Sequence, residues 1–292
     1  MTDPPDLPPE GYRRAELPHS GPEALLRDSW DMYAREWIAW TRSPDQPDSY
    51  LRFHREHFLP LIPAPGRLTL DLACGEGRIA RDLKYSGHRV LGVDWSFTMC
   101  KAAATHINDP ISVIAGDAAR LPIADAQVDC VIAFMCLQDI DDMSGTITEI
   151  ARVLQDGKQL ALAIVHPMYS GGNFSMTGNP NDDFVIKRSY FKPELQVSSD
   201  THNSLKVTFF REHRPLQQYV HALLGAGFSI EQLHEVTDED ESKPWHRVPM
   251  FLDVLATRRP RQRPDYSPRR EGINNADQSF LRRFGQFRHK RT

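Results

Sequence analysis

The sequence predicts an α/β fold with a mostly parallel sheet, and three observations carry that reading. Short apolar runs recur at the length of strands buried on both faces, at residues 68–71, 89–94 and 111–115. The first two end on Asp71 and Asp94, and the third reaches Asp117 through Gly116. After the first run comes a small-residue turn, Ala73-Cys-Gly75-Glu-Gly77, with a helical stretch from about Arg78. Glycines there let the backbone turn tightly and approach a ligand with no Cβ in the way. Three carboxylates at the carboxyl ends of three successive strands describe one binding edge.

The 292 residues, 40% hydrophobic and 25% charged, suit one such domain with extensions. No apolar run reaches the roughly 18 residues of a membrane span. The opening MTDPPDLPPEGYRR lacks the apolar centre of a secretory signal. The cysteines at 74, 100, 130 and 136 include no C-x-x-C pair. They read as reduced, packed thiols of a cytoplasmic protein rather than bridges or zinc ligands. The formal charge of −4 is uneven: from Arg258 onward there are 11 Lys/Arg against 3 Asp/Glu, leaving 24 against 36 before it. The body is acidic and the tail, 258–292, is basic; such a tail either holds phosphates or is merely solvated.

In chain order, residues 1–22 hold six prolines and read as an irregular arm. Residues 23–63 read as a helical lid. In it Leu26, Trp30, Tyr33, Trp37 and Trp40 recur at helical spacing as an aromatic face, the turn SPDQPD follows, and SYLRFHREHFLPLI is a second helix. Trp95 and Met99 fall on the helix after Asp94. The fourth strand, VDCVIAFM, ends at Phe134, Met135 and Cys136. A helix over about 144–154 and an Asp156-Gly157 turn lead to a fifth strand, KQLALAIVHP, which brings His166 to the same edge. Residues 167–214 break the rhythm, and their extended pieces DFVIKRSYF and SLKVTFF predict two antiparallel strands of a cap. The helix PLQQYVHALLGAG and the strands FSIEQLHEV and VPMFLDVLAT complete the body. No His/Asp/Glu group has metal-ligand spacing on one element.

Taken together these residues resemble the class I S-adenosylmethionine-dependent methyltransferases, in particular the type 11 group of small-molecule enzymes, over about residues 30–256. DLACGEG matches the group's D-x-x-C/P-G-x-G turn, VDWSFTM its acid after strand 2, and GDAARLPIADAQVDCVIA its strand-3 to strand-4 segment. HRPL before a helix and AGF is a further shared feature, and it contains His213 and Arg214. The resemblance implies a Rossmann-like, seven-stranded, mostly parallel sheet of order 3-2-1-4-5-7-6 with strand 7 antiparallel. Helices would cover both faces, and a β-rich cap at about 167–214 would interrupt a domain over 64–257.

The same resemblance implies S-adenosyl-L-methionine as cofactor and assigns roles around it. Asp71 would organise the glycine turn, with Ala73 and Gly75 facing the methionine part and Asp94 accepting both ribose hydroxyls. Trp95 and Met99 would wall the adenine, while Gly116, Asp117 and Ala118 meet its amino edge. Phe134 and Met135 would stand at the sulfonium, and Tyr33 would be the lid residue, the tryptophans packing against the sheet domain. Methyl transfer from a sulfonium is an in-line displacement, so positioning is most of the protein's task. If the acceptor must lose a proton, His166 and His213 are the candidate bases. Each also has a structural alternative, a strand-end cap for the first and a backbone hydrogen bond for the second.

Tyr169, Phe174, Phe184, Tyr190, Phe191, Phe209 and Phe210 in the cap suit a hydrophobic small-molecule acceptor, handled by a monomer or homodimer. Nucleic acid is disfavoured: strand 4 is followed by neither the Pro-Pro turn of adenine-amino enzymes nor the Pro-Cys of cytosine-C5 enzymes. Other readings stay open. A nucleic-acid methyltransferase would use the basic tail. A nicotinamide oxidoreductase fits Gly75-x-Gly77-x-x-Ala80, but Asp71 would then face a pyrophosphate. A non-catalytic binding protein has no evident need of Asp71, Gly75, Asp94 and Asp117 together.

Overall fold

The computed structural model describes residues 26–44, 50–175, 177 and 179–260. The arm at 1–22, most of the predicted turn after the first helix and nearly all of the basic tail lie outside the described residues.

Two helices, α1 (Leu26–Met32) and α2 (Ala34–Arg42), come first, followed by one helical passage with three geometries. It starts as a π turn at Tyr50–His54, continues as α3 (Arg55–Phe58) and tightens to 3-10 at Leu59–Leu61. Strand β1 (Thr69–Leu72), helix α4 (Arg78–Tyr85), β2 (Val90–Asp94), α5 (Phe97–Ala104) and β3 (Val113–Ala115) then alternate. They are followed by β4 (Val128–Phe134), α6 (Met143–Val153), β5 (Leu154–Val165) and the short α7 (Pro167–Gly171). The cap strands are β6 (Asn173–Phe174), β7 (Phe184–Val185), β8 (Glu194–His202) and β9 (Leu205–His213). Helix α8 (Leu216–Gly225), β10 (Phe228–Val236) and β11 (Phe251–Arg258) close the body.

The main sheet has the order β3-β2-β1-β4-β5-β11-β10. Neighbours are parallel from β3 to β5, and β11 runs antiparallel to both β5 and β10. This is the Rossmann-like arrangement expected from the sequence. Strand order reverses direction at β1 and β4, so a crevice opens at their carboxyl ends.

Alternation along the central strands fills both faces. Leu70, Leu72, Val131, Leu160 and Leu162 pack with α6 and α8 residues such as Ile147, Ile150 and Leu223. On the other face Ile132, Ala161 and Ala163 meet Tyr50, Phe58, Ile79 and Leu83. A fully buried leucine or phenylalanine contributes ~1.5–3 kcal/mol relative to exposure, so these two layers hold the sheet rigid beneath the crevice. Gly77 starts α4 at φ +86°, where a Cβ would come within 3.1 Å of Ala103 Cβ and 3.2 Å of Ile111 Cγ1. That glycine sets how closely α4 and α5 pack under the turn.

The cap differs from the sequence expectation. Its main hairpin pairs β8 with β9, Glu194 opposite His213, so SLKVTFF is a strand but its partner is the polar ELQVSSDTH. Of DFVIKRSYF only Phe184–Val185 is extended, pairing with β6. Asn203 and Ser204 both have positive φ, 46° and 66°, the geometry of a two-residue hairpin turn that matches strand twist. Serine and aspartate hid β8 from a hydrophobic pattern because its side chains are mostly half-buried.

The predicted first helix is broken at Tyr33, which caps α2. Both halves pack on β9. The Trp30 indole N–H donates to the Phe210 carbonyl at 3.1 Å, and Thr208 donates to Glu36 at 3.1 Å. Lid and cap are therefore one continuous wall above the crevice.

Candidate active site

A cavity of about 1260 Å³ lies at the carboxyl ends of β1, β2 and β4 beneath that wall. Asp71, Ala73, Gly75, Asp94, Trp95, Met99, Gly116, Asp117, Ala118, Phe134 and Met135 all line it. Of the residues expected around the cofactor, Tyr33 alone is missing from the lining: its ring packs on Phe210, centroids 5.1 Å apart. Trp30 and Trp37, expected to be packing residues, line the cavity instead. Trp37 stands above the glycine turn, its indole nitrogen 3.6 Å from where a Cβ on Gly75 would be. The break at Tyr33 resets the helical phase, which explains the exchange.

Gly75 holds φ +55°, and its N–H donates to Asp94 Oδ2 at 2.8 Å. Asp94 Oδ1 accepts from the Ser96 N–H at 2.8 Å, so the strand-2 acid ties the turn to the start of α5. Burial pushes the Asp94 carboxyl up to about 6, against the pull of those two N–H bonds. Asp71 is buried more deeply, and its Oδ2 has no hydrogen-bond partner among the described residues. Burial first and the Asp94 charge second push it up to about 8. Two acids held near neutrality in one pocket are poised for a cation.

At the far end of the crevice Asp117 Oδ1 accepts from the Ala119 N–H at 2.9 Å. Its Oδ2 lies 3.5 Å from an Arg27 nitrogen, and the Arg27 guanidinium carbon is 4.3 Å from the Trp95 ring centroid. Arg27, which sequence reasoning passed over, thus joins the lid to Asp117 and Trp95 at this end of the crevice. Past β4, Met135 has φ +52°. Gln138 donates through Nε2 to the Met135 carbonyl at 2.6 Å, and its Oε1 is left without a partner among the described residues. Arg214 fixes this turn from below, donating to the carbonyls of Leu137 at 2.8 Å and Ile140 at 2.7 Å.

Neither candidate base reaches the cavity lining. His166 Nδ1 accepts from the Met168 N–H at 3.0 Å as the cap of α7, and its Nε2 lies 3.1 Å from Glu235 Oε1. Burial lowers its basicity, partly offset by Glu235. His213 is held at both ring nitrogens, by the Ser170 hydroxyl at 2.7 Å and the Tyr190 carbonyl at 2.8 Å. His213 thus has both ring nitrogens held within the cap, whereas His166 has one there and the other beside Glu235 on β10.

A third histidine does line the cavity. His54, on the π turn, is 1% exposed, and neither ring nitrogen has a hydrogen-bond partner among the described residues. The available signal was its spacing with Tyr50, Phe53 and Phe58 on one apolar helix face. Among the described residues no His/Cys/Asp/Glu group suits a metal ion, and all four cysteines are free. No helix among them is long and apolar enough to cross a membrane.

Comparison with known proteins agrees with this geometry. A family model described as a methyltransferase domain matches residues 70–162. A demethylmenaquinone methyltransferase of Corynebacterium kroppenstedtii is 38% identical over 102 residues, 35% of this chain and 43% of the relative. A malonyl-[acyl-carrier protein] O-methyltransferase of Xylella fastidiosa is 32% identical over 105 residues, 35% of this chain and 36% of the relative. The chain thus spans less than half the length of these curated relatives. The crystal structure of an S-adenosylmethionine-dependent methyltransferase from Mesorhizobium loti superposes with a TM-score of 0.58 at 22% identity, covering 70% of this chain and 96% of that one. Its fold is shared. The strand-end acids and the glycine turn agree with the matched segment: residues 70–162 are similar to a methyltransferase domain, set in a Rossmann-like fold.

Proposed function

We propose that the protein is an S-adenosylmethionine-dependent methyltransferase acting on a hydrophobic small molecule. The observation that carries this reading is the convergence of Asp71, Asp94 and Asp117 on one cavity that also holds a group of aromatic side chains, among them Trp30, Trp37, Phe134, Tyr169 and Trp245. The residues present fit the donor: an unpaired buried carboxylate oxygen on Asp71 suits a cationic amino acid head, and Asp94 beside the glycine turn suits a ribose. Gly75 leaves open space where a side chain would otherwise stand, apart from Trp37. When bound, the donor supplies a methyl group already activated by its sulfonium.

The chain's own contribution is placement and exclusion of water. Trp37 covers the turn, and Arg27 and Trp95 close the adenine end. Phe134 and Met135, at the end of β4, border the reaction edge. Ordering of this kind contributes ~7–11 kcal/mol to such reactions. With His166 and His213 both outside the cavity lining, this reading gives neither the role of a base, and alanine at either position is expected to act through stability.

The test is a binding and transfer series. Titration with adenosylmethionine, adenosylhomocysteine and NAD separates a methyltransferase from a nicotinamide enzyme, and labelled donor with a panel of apolar metabolites finds the acceptor class. Preferential binding of NAD, or efficient methylation of tRNA or protein in place of small molecules, would sink the reading.

A further inference from the structure

His54 is a buried polar side chain on the cavity wall that the functions assigned so far leave unexplained. It sits on the wall of the cavity, 1% exposed, with Nδ1 and Nε2 both lacking a hydrogen-bond partner among the described residues. Its ring is flanked edge to face by Phe134, centroids 5.0 Å apart at 88°, and by Phe251, 4.3 Å apart at 64°. A phenylalanine would fill this slot without stranding two polar atoms, since a buried nitrogen with no partner costs free energy that a carbon does not. Phe134 ends β4 and, like His54, lines the cavity. The ring is neutral, burial and the nearby His57 having lowered it to about 3. A neutral imidazole offers one N–H donor and one acceptor, and it puts no second cation beside a sulfonium.

The surroundings say what the partner looks like. Tyr169 and Trp245 line the same region with centroids 4.5 Å apart, and Phe53 packs on Phe251 at 5.5 Å. Aromatic walls of this kind favour a flat apolar body, placed against their faces and edges. We infer that the acceptor is a planar ring compound bearing a hydroxyl or carbonyl, with its ring among these aromatic side chains and its oxygen hydrogen-bonded to His54. The inference rests on the methyltransferase reading and deepens it by naming the acceptor class. His54 is then a specificity-determining residue in contact with substrate.

The experiment titrates the full chain, loaded with adenosylhomocysteine, with 2-naphthol and with naphthalene. Wild type is expected to bind 2-naphthol at least tenfold more tightly than naphthalene. His54→Phe, which keeps the ring and removes both nitrogens, is expected to cut that preference below threefold with naphthalene affinity unchanged. His54→Gln, which keeps a donor and an acceptor, is expected to retain part of it. Adenosylhomocysteine affinity is expected to be equal in all three proteins, which establishes that the variants fold. A preference that survives His54→Phe, equal binding of the two probes by wild type, or no saturable 2-naphthol binding overturns the inference. Failure of wild type to bind adenosylhomocysteine overturns the methyltransferase reading instead, whatever the naphthol result.

Discussion

Asp94 ties the glycine turn to the start of α5 through two local N–H bonds, while the sheet beneath is held by its two apolar layers. Its replacement is therefore expected to act on binding more than on the global fold. On the proposed reading Asp94→Ala removes an acceptor for two ribose hydroxyls, each charge-assisted bond being worth ~1.5–3 kcal/mol. The donor dissociation constant is expected to rise at least a hundredfold by calorimetry, with the melting temperature little changed; an unchanged constant would show that this acid does not meet the ribose. Asp71 adds a pH dependence. Its carboxyl is pushed up to about 8 and that of Asp94 to about 6, so both bind protons readily in the empty site. A bound cation favours their ionised forms, and binding therefore releases protons. Donor affinity is expected to rise from pH 6 to about pH 7.5, where the ligand's own amino group begins to lose its proton. An affinity that is flat across that window contradicts a cation beside Asp71. Ala73 carries strain of another kind, at φ +51° in the lining. Left-handed geometry costs a non-glycine residue ~1–2 kcal/mol, of which Gly gives back part through chain entropy. Ala73→Gly is expected to stabilise the fold by a few tenths of a kcal/mol to about 1 in denaturant melts.

At the scale of elements, the lid helix is where sequence and structure part. Trp37 covers the glycine turn and Tyr33 packs on the cap, so Trp37→Ala is expected to weaken donor binding about tenfold (~1.4 kcal/mol). Tyr33→Ala is expected to lower stability while leaving the donor constant within about twofold; the opposite result restores Tyr33 as the lid residue. Sequence reasoning read one helix because the aromatic spacing is unbroken, and nothing local announces the break at Tyr33. The sheet was legible for the converse reason: strand length, apolar run and terminal acid are local features. The hairpin partner β8 was missed because polar, half-buried strands leave no hydrophobic signature. His166 was read at the end of the fifth strand and His213 ahead of a helix, where β9 in fact runs on to it. Their directions depend on Met168, Ser170 and Tyr190, contacts that chain order does not reveal. Strand β11 holds one buried acid, Asp253, 0% exposed, with neither oxygen partnered among the described residues. Burial pushes it up to about 7 from 3.8. A raised folded value means that stability falls as pH rises from about 4 to 7, the penalty being complete above 7 and about 4 kcal/mol at most. Asp253→Asn is expected to raise the melting temperature at pH 8 more than at pH 5. An equal shift at both values contradicts a buried, titrating carboxylate.

On the scale of the whole molecule, the acidic body and the cavity serve one end. The sheet brings three carboxylates to a single edge, while α1, α2 and the β8–β9 hairpin close above it. The donor half of this arrangement was legible because its residues sit beside the motif that announces them. The acceptor half proposed above was not, because Phe53, His54, Phe134, Tyr169, Trp245 and Phe251 come together in the lining from separated parts of the chain. Under the proposed function that half decides what is methylated, and the donor half decides whether methylation happens at all. The most direct measurement is therefore calorimetric titration of the full chain with adenosylmethionine at pH 7, repeated in two buffers of different ionisation enthalpy. Saturable one-to-one binding with net proton release is expected, and NAD at the same concentration is expected to give no heat. Binding of NAD in place of adenosylmethionine, or adenosylmethionine binding with no proton released and unaltered by Asp94→Ala, would contradict a methyl-donor site on these carboxylates.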